Sequence, residues 1–236
     1  MATQLSLIAD NITAGTLLQD AYPSDIAKHS LGDYDMKSVL NTHASNAHVF
    51  ANNTSATSGT AIYLGSKVIN ADYTIDFVLH VYNYTSGHMY IGCRAPGGSS
   101  KAFLAVGHSY GVGWACRTYK SDGTFTSVTT AGSTTLANGT YTGQIVVSGN
   151  SVTLTVGGLQ VFTTTQSTLT DAGYFMHRNY QSTVSSNNLN YGLALASCTV
   201  TANDINVSEP AMRWAGSAGT GGARSAGSAP TNSTGN

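Results

Sequence analysis

The clearest order in the chain is an alternation of apolar and polar side chains with period two. Tyr73, Ile75, Phe77, Leu79 and Val81 alternate with Thr74, Asp76, Val78, His80 and Tyr82, and only an extended strand puts every second side chain on one face. Runs with the same bias follow at residues 89–94, 102–106, 113–119 and 125–130, parted by Pro96-Gly97-Gly98, Ser109-Tyr110-Gly111 and Ser121-Asp122-Gly123. That spacing predicts an antiparallel meander. Further on, Ile145 and Val147 lead into Gly149-Asn150, Val152, Leu154 and Val156 lead into Gly157-Gly158, and Leu159 and Val161 follow. Two-residue turns able to take positive φ predict two tight hairpins. Leu193, Leu195 through Val200, Ile205 and Val207 supply the closing strands.

Either side of this region the pattern weakens. Residues 1–60 carry scattered apolar positions between turn-formers at Asn11, Gly15, Pro23-Ser24-Asp25 and Asn52-Asn53, which predicts an N-terminal arm with short strands. A short helix at residues 24–29, capped by Ser24, is the one helical signal there. Residues 215–236 are mostly Gly, Ser, Ala and Thr with a single Arg224 and Pro230, too poor in apolar surface to offset their ordering entropy. Strands every eight to twelve residues with no helices between them disfavour a parallel α/β fold. The expectation is an all-β protein: a two-sheet antiparallel jelly-roll sandwich over residues 61–208, with an extended N-terminal arm over 1–60 and a Gly/Ser-rich C-terminal docking tail over 209–236.

Composition narrows the function. Lys and Arg number 10 against 11 Asp and Glu, so no basic surface is available to release counterions from a phosphate backbone, and nucleic acid is excluded as an expected partner. Charge this close to zero favours association, and a chain this neutral is expected in an assembly. The N-terminus has no basic segment followed by a long apolar run, and no stretch approaches the ~20 apolar residues of a membrane helix, so neither export nor membrane insertion is expected. Cys93, Cys116 and Cys198 are odd in number and far apart, which predicts free buried thiols rather than a disulfide framework or a zinc site.

Residues 139–162, Gly-Thr-Tyr-Thr-Gly-Gln-Ile-Val-Val-Ser-Gly-Asn-Ser-Val-Thr-Leu-Thr-Val-Gly-Gly-Leu-Gln-Val-Phe, resemble the paired hairpins of concanavalin A-like (laminin G-like) jelly-roll domains. Ala172-Gly173-Tyr174-Phe175 is similar to the glycine-led strand that follows them. The resemblance implies a sandwich of the kind found in lectins, glycan hydrolases and the fibre, spike and decoration proteins of tailed phages. The neutral arms resemble the phage setting in style. They imply location on a virion surface, made in the host cytoplasm, with other virion subunits, further copies of the chain and host glycan as partners.

Catalytic constellations are sparse. Glucanases of this fold carry clustered glutamates, whereas this chain has one, Glu209. Asp72 and Asp76 lie four residues apart along one strand, roughly 13 Å, too far for a retaining pair. Gly107-His108-Ser109-Tyr110-Gly111 matches a nucleophile elbow, with Asp171 and His177 downstream in the order such hydrolases use. The β-forming residues after Ser109 predict no helix, and the elbow needs one. His80 with His88, and His43 with His48, form no metal motif, so no metal or cofactor is expected. Aromatic rings that could stack on sugars are Tyr82, Tyr84, Tyr110, Trp114 and Tyr119; Arg213, Trp214 and Arg224 are the expected assembly contacts. The expected function is a non-enzymatic virion surface protein, a capsid decoration or tail and fibre component contacting host glycan. The alternatives are a soluble carbohydrate-binding lectin and a serine hydrolase using Ser109.

Overall fold

A computed structural model describes residues 2–28, 35–41, 47–52, 60–68, 70–180, 183–185 and 188–202. Its strands form two antiparallel sheets packed as a sandwich, as the alternation predicts. The nine-stranded sheet runs β13 (Leu159–Thr165), β12 (Ser151–Val156), β11 (Gly139–Ser148), β6 (Tyr73–Tyr82), β16 (Asn188–Ala202), β3 (Met36–Asn41) and β4 (Ala47–Asn52), with β1 (Ala2–Ile8) and β15 (Thr183–Ser185) also paired to β16. The seven-stranded sheet runs β10 (Phe125–Ala131), β9 (Gly113–Tyr119), β8 (Phe103–Ser109), β7 (His88–Ala95), β14 (Gly173–Tyr180), β5 (Thr60–Val68) and β2 (Ile26–Lys28).

The predicted meander is β7 to β10, each strand bonded to the next. The two predicted hairpins are β11–β12 and β12–β13. Gly157 and Gly158 turn the second with φ of 59° and 79°, a pair of left-handed positions that glycine occupies without a Cβ clash. Tyr73, Ile75, Phe77, Leu79 and Val81 all face the main core, where they meet Leu104, Val106 and Cys116 of the other sheet. Fully burying one such side chain stabilises the fold by about 1.5–3 kcal/mol.

The stretch expected as an N-terminal arm carries four short strands woven into both sheets. β1 lies along β16 from Ala2↔Ala202 to Ile8↔Ser197, and β2 lies along β5. Side-chain bonds fasten this region: the Tyr63 hydroxyl accepts from Met36 N at 2.8 Å and donates to Gln19 Oε1 at 2.9 Å, and Asp10 accepts from His48 N at 2.6 Å. The helix expected at 24–29 is displaced: among the described residues the one α-helical turn, α1, spans Leu18–Ala21, and residues 26–28 extend as β2 with Ile26↔Gly65. Burial of Ile26 and Ala27 in the sheet outweighs the Ser24 cap. Ile205 and Val207, and the whole 209–236 tail, lie outside the described residues.

Candidate functional site

The β8–β9 turn and the loop after β6 bring three of the five expected aromatics into one line. The rings of Tyr110 and Tyr84 are 5.6 Å apart, those of Tyr84 and His108 5.6 Å, and those of His108 and Trp114 5.1 Å. The line runs from exposed Tyr110 to Trp114, which is only 4% exposed. His108 Nε2 lies 3.0 Å from the Ser133 carbonyl and donates to it as a neutral ring; burial pushes its pKa down and the Ser133 contact opposes that in part. This bond pins the segment after β10 over the Trp114 ring.

Beyond Trp114 a groove of about 680 Å³ opens between the free edges of the two sheets, lined among others by Ser133, Thr135, Tyr141, Leu159 and Gln160. Trp114 is itself part of its lining, and Leu159 forms an apolar lip that is 75% exposed. The volume is that of a small-ligand pocket, mostly apolar with a few polar groups to orient a ligand. Tyr141 is held by donating its hydroxyl to the Ala137 carbonyl at 3.2 Å, and Ser133 by donating to Thr135.

Tyr119 faces elsewhere. In β7, β8, β9 and β14 every second residue points away from the main core, so Tyr90, Phe103, Tyr119, Tyr174 and Met176 form a second cluster on the outer face of the seven-stranded sheet. The Arg117 guanidinium lies 4.0 Å from the Phe125 ring centre and 4.9 Å from that of Tyr90. The Arg178 guanidinium lies 4.7 Å from that of Tyr119, and its Nε donates to His88 Nε2 at 3.4 Å. Burial and the two arginines press the His88 pKa down to about 3, so the ring accepts. Tyr82 is remote from both places, packed against Val39, Val49 and Ala194 on the outer face of the nine-stranded sheet.

The elbow around Ser109 does not assemble. Ser109 ends β8 and a tight turn returns the chain directly into β9, with Val112 N bonded to Ser109 O at 3.1 Å. No helix N-terminus is there to form an oxyanion hole. Ser109 points to the outer face, opposite His88 in register, whereas His177 points into the core, with both ring nitrogens unbonded and its pKa pushed down to about 3 by burial. The histidine facing Ser109 is therefore His88, oriented by Arg178 rather than by a carboxylate. Asp72 accepts from Gly149 N at 2.7 Å and Asp76 from Gln144 Nε2 at 2.8 Å, each tied to its neighbouring strand. His80 is bonded to Asn41 and His48 to Ile12 O. Among the described residues no three His, Cys, Asp or Glu side chains gather as metal donors. His43, Glu209, Arg213, Trp214 and Arg224 lie outside the described residues.

Sequence reasoning missed Tyr141, Leu159 and Gln160, because the groove they line is made by strands from opposite sheets. It also missed Arg117 and Arg178. A signal existed: in a chain with 10 Lys and Arg, arginines inside strand runs at 94, 117 and 178 are conspicuous.

No family model matches the chain, and no curated protein matches it. Solved structures do. The exoplasmic/lumenal domain of VIP36, in its Ca²⁺/Man-bound form, is similar at TM-score 0.52 and 11% identity over 90% of this chain and 98% of that one. The carbohydrate-binding module CBM66 from Bacillus subtilis is similar at TM-score 0.50 and 9% identity, over 75% and 92%. Domain 4 of AbnA, a GH43 extracellular arabinanase from Geobacillus stearothermophilus in complex with arabinotriose, is similar at 0.50 and 9%, over 84% and 91%. At such identities the likeness is one of fold alone: a two-sheet antiparallel jelly-roll sandwich, consistent with a concanavalin A-like fold.

Proposed function

We propose that the protein is a non-enzymatic carbohydrate-binding module that takes a short glycan into the groove beside Trp114. The observation that carries this reading is the groove itself, in a fold shared with a mannose-bound VIP36 domain and an arabinotriose-bound arabinanase domain. Tyr141 and Leu159 offer apolar surface to the C–H face of a sugar, and Ser133, Thr135 and Gln160 offer hydrogen bonds to its hydroxyls. VIP36 was solved with Ca²⁺; among the described residues no three His, Cys, Asp or Glu side chains gather to hold a metal, and the reading takes binding through this groove to need no calcium. The missing elbow helix and the tied aspartates support the absence of hydrolysis.

Calorimetric titration with arabinotriose, mannotriose and a wider oligosaccharide array tests this. At least one neutral glycan is expected to bind equally with and without EDTA, and Tyr141→Ala or Gln160→Ala should weaken it about tenfold, the loss of one good contact. No binding across the array sinks the reading. Strong labelling of Ser109 by a fluorophosphonate probe would revive the hydrolase.

The virion setting is a second reading, supported by the near-zero charge and by the tail bearing Arg213, Trp214 and Arg224. In it the module sits on a particle surface among other subunits and contacts host glycan. Copy number by quantitative mass spectrometry of purified particles tests it; absence from every particle removes it and leaves the free lectin.

A further inference from the structure

The outer face of the seven-stranded sheet holds more positive charge than its surroundings balance. Arg117 is only 5% exposed, yet its Nε has no hydrogen-bond partner. Arg178 Nη1 is also buried and without a partner. A third cation joins them at the β9–β10 turn: Lys101 Nζ and Arg178 Nη1 each lie 3.7 Å from the point where a Cβ on Gly123 would stand. Among the described residues no carboxylate pairs with any of the three. The nearest acid in sequence, Asp122, is exposed and accepts instead from Thr124 N and Oγ1 at 2.8 and 2.7 Å. The aromatic rings on either side of Arg117 and under Arg178 stabilise the cations by cation–π contact but supply no acceptor for an N–H.

A guanidinium removed from water with unused donors is costly unless an oxyanion meets it. Its planar fork matches a carboxylate or sulfate ester with two parallel bonds. The surroundings add an apolar flank, because Phe125 is 45% exposed and the Tyr180 ring stacks on His88 at 5.2 Å. Flat apolar surface beside a cluster of cations suits a sugar ring that carries its own negative group.

We propose that Arg117, Arg178 and Lys101 form a second binding site, distinct from the Trp114 groove, for an acidic glycan whose carboxylate or sulfate ester pairs with the guanidinium groups. This rests on the carbohydrate-binding reading for the ligand being a sugar, but not on the groove being occupied. Arg178 from β14 and Lys101 from the β7–β8 loop hold the anion beside Gly123, Arg117 receives it from β9, and Phe125 covers the sugar face.

The test is titration of the whole protein with an oligogalacturonate, a sulfated galactan oligosaccharide, neutral galactan oligosaccharides and a single-stranded oligonucleotide, at 50 and 500 mM NaCl. One of the two acidic sugars is expected to bind, more weakly at high salt; which one separates carboxylate from sulfate ester. Arg178→Gln should weaken it at least about tenfold, and Lys101→Gln, whose partly exposed side chain leaves the fold intact by thermal melt, about threefold or more. Tyr141→Ala should leave it unchanged. The proposal is overturned if neither acidic sugar binds, if Lys101→Gln and Arg178→Gln leave binding untouched, or if the oligonucleotide binds as tightly as the sugar. Neutral sugars failing while an acidic one binds would remove the groove reading and keep this one.

Discussion

At the scale of single residues, Arg94 spends its charge on structure. Arg94 is buried at the end of β7 with φ of 64°, a left-handed position unusual for a side chain with a Cβ. Its guanidinium donates to Ala71 O, Gly149 O and Leu169 O at 2.7–3.1 Å, tying three loops together. Arg94→Ala should cost about 3–5 kcal/mol in urea unfolding, because those carbonyls lose their donor. Arg94→Gly should cost about 1 kcal/mol less, because glycine relieves the backbone. His177 contributes to the acid response, alongside His88. Burial presses the His177 pKa to about 3, against about 6.5 when unfolded, so the unfolded chain takes up a proton first as pH falls. Stability is complete above pH 6.5 and declines toward pH 3. Between pH 7 and pH 5 this one group removes about 2 kcal/mol, and His177→Leu should flatten the decline by that amount. The three cysteines are free and buried, with the Cys116 thiol pushed up to about 12 by burial and Cys93 and Cys198 also raised. None should react with Ellman's reagent in the native protein, and all three should react in denaturant.

Elements show where pattern suffices and where it does not. β6 and the β11–β12–β13 hairpins were legible because apolar residues fill one face and mostly polar ones the other, so the period is written in the side chains. β8 and β9 are buried on both faces, and were found through their flanking turns. β5 went unread, since Thr60–Val68 interleaves Gly65 and Lys67 with its apolar residues; it becomes a strand by lying between β14 and β2. Pairings at long range were likewise hidden, as with β6 between β11 and β16. Cross-strand fit can be tested at Gly143, which pairs with Phe77. The Phe77 ring occupies the place a Cβ would take, so Gly143→Ala should cost about 1–3 kcal/mol by overpacking. Combining it with Phe77→Leu should recover at least about 1 kcal/mol of the summed loss, the mark of residues in contact.

For the whole molecule, the groove and the outer cationic face are products of assembly. Ser133, Tyr141 and Gln160 belong to segments that meet only when the open edges of two sheets come side by side; Arg117 and Arg178 are 61 positions apart and meet because β9 and β14 flank β8 and β7 with their alternate residues facing the same way. Of the five aromatics chosen from sequence, Tyr84, Tyr110 and Trp114 converge, Tyr119 lies on the other surface, and Tyr82 is packed away. The amino-acid sequence by itself determined the strand class, the positions of most turns, the inward set of β6 and the poverty of catalytic carboxylates, since these depend on local periodicity and composition. Tertiary structure alone decided which arginines are left without partners, which rings share a groove, and that the first 52 residues contribute strands to both sheets, because each depends on which distant strand supplies the neighbour across the ladder.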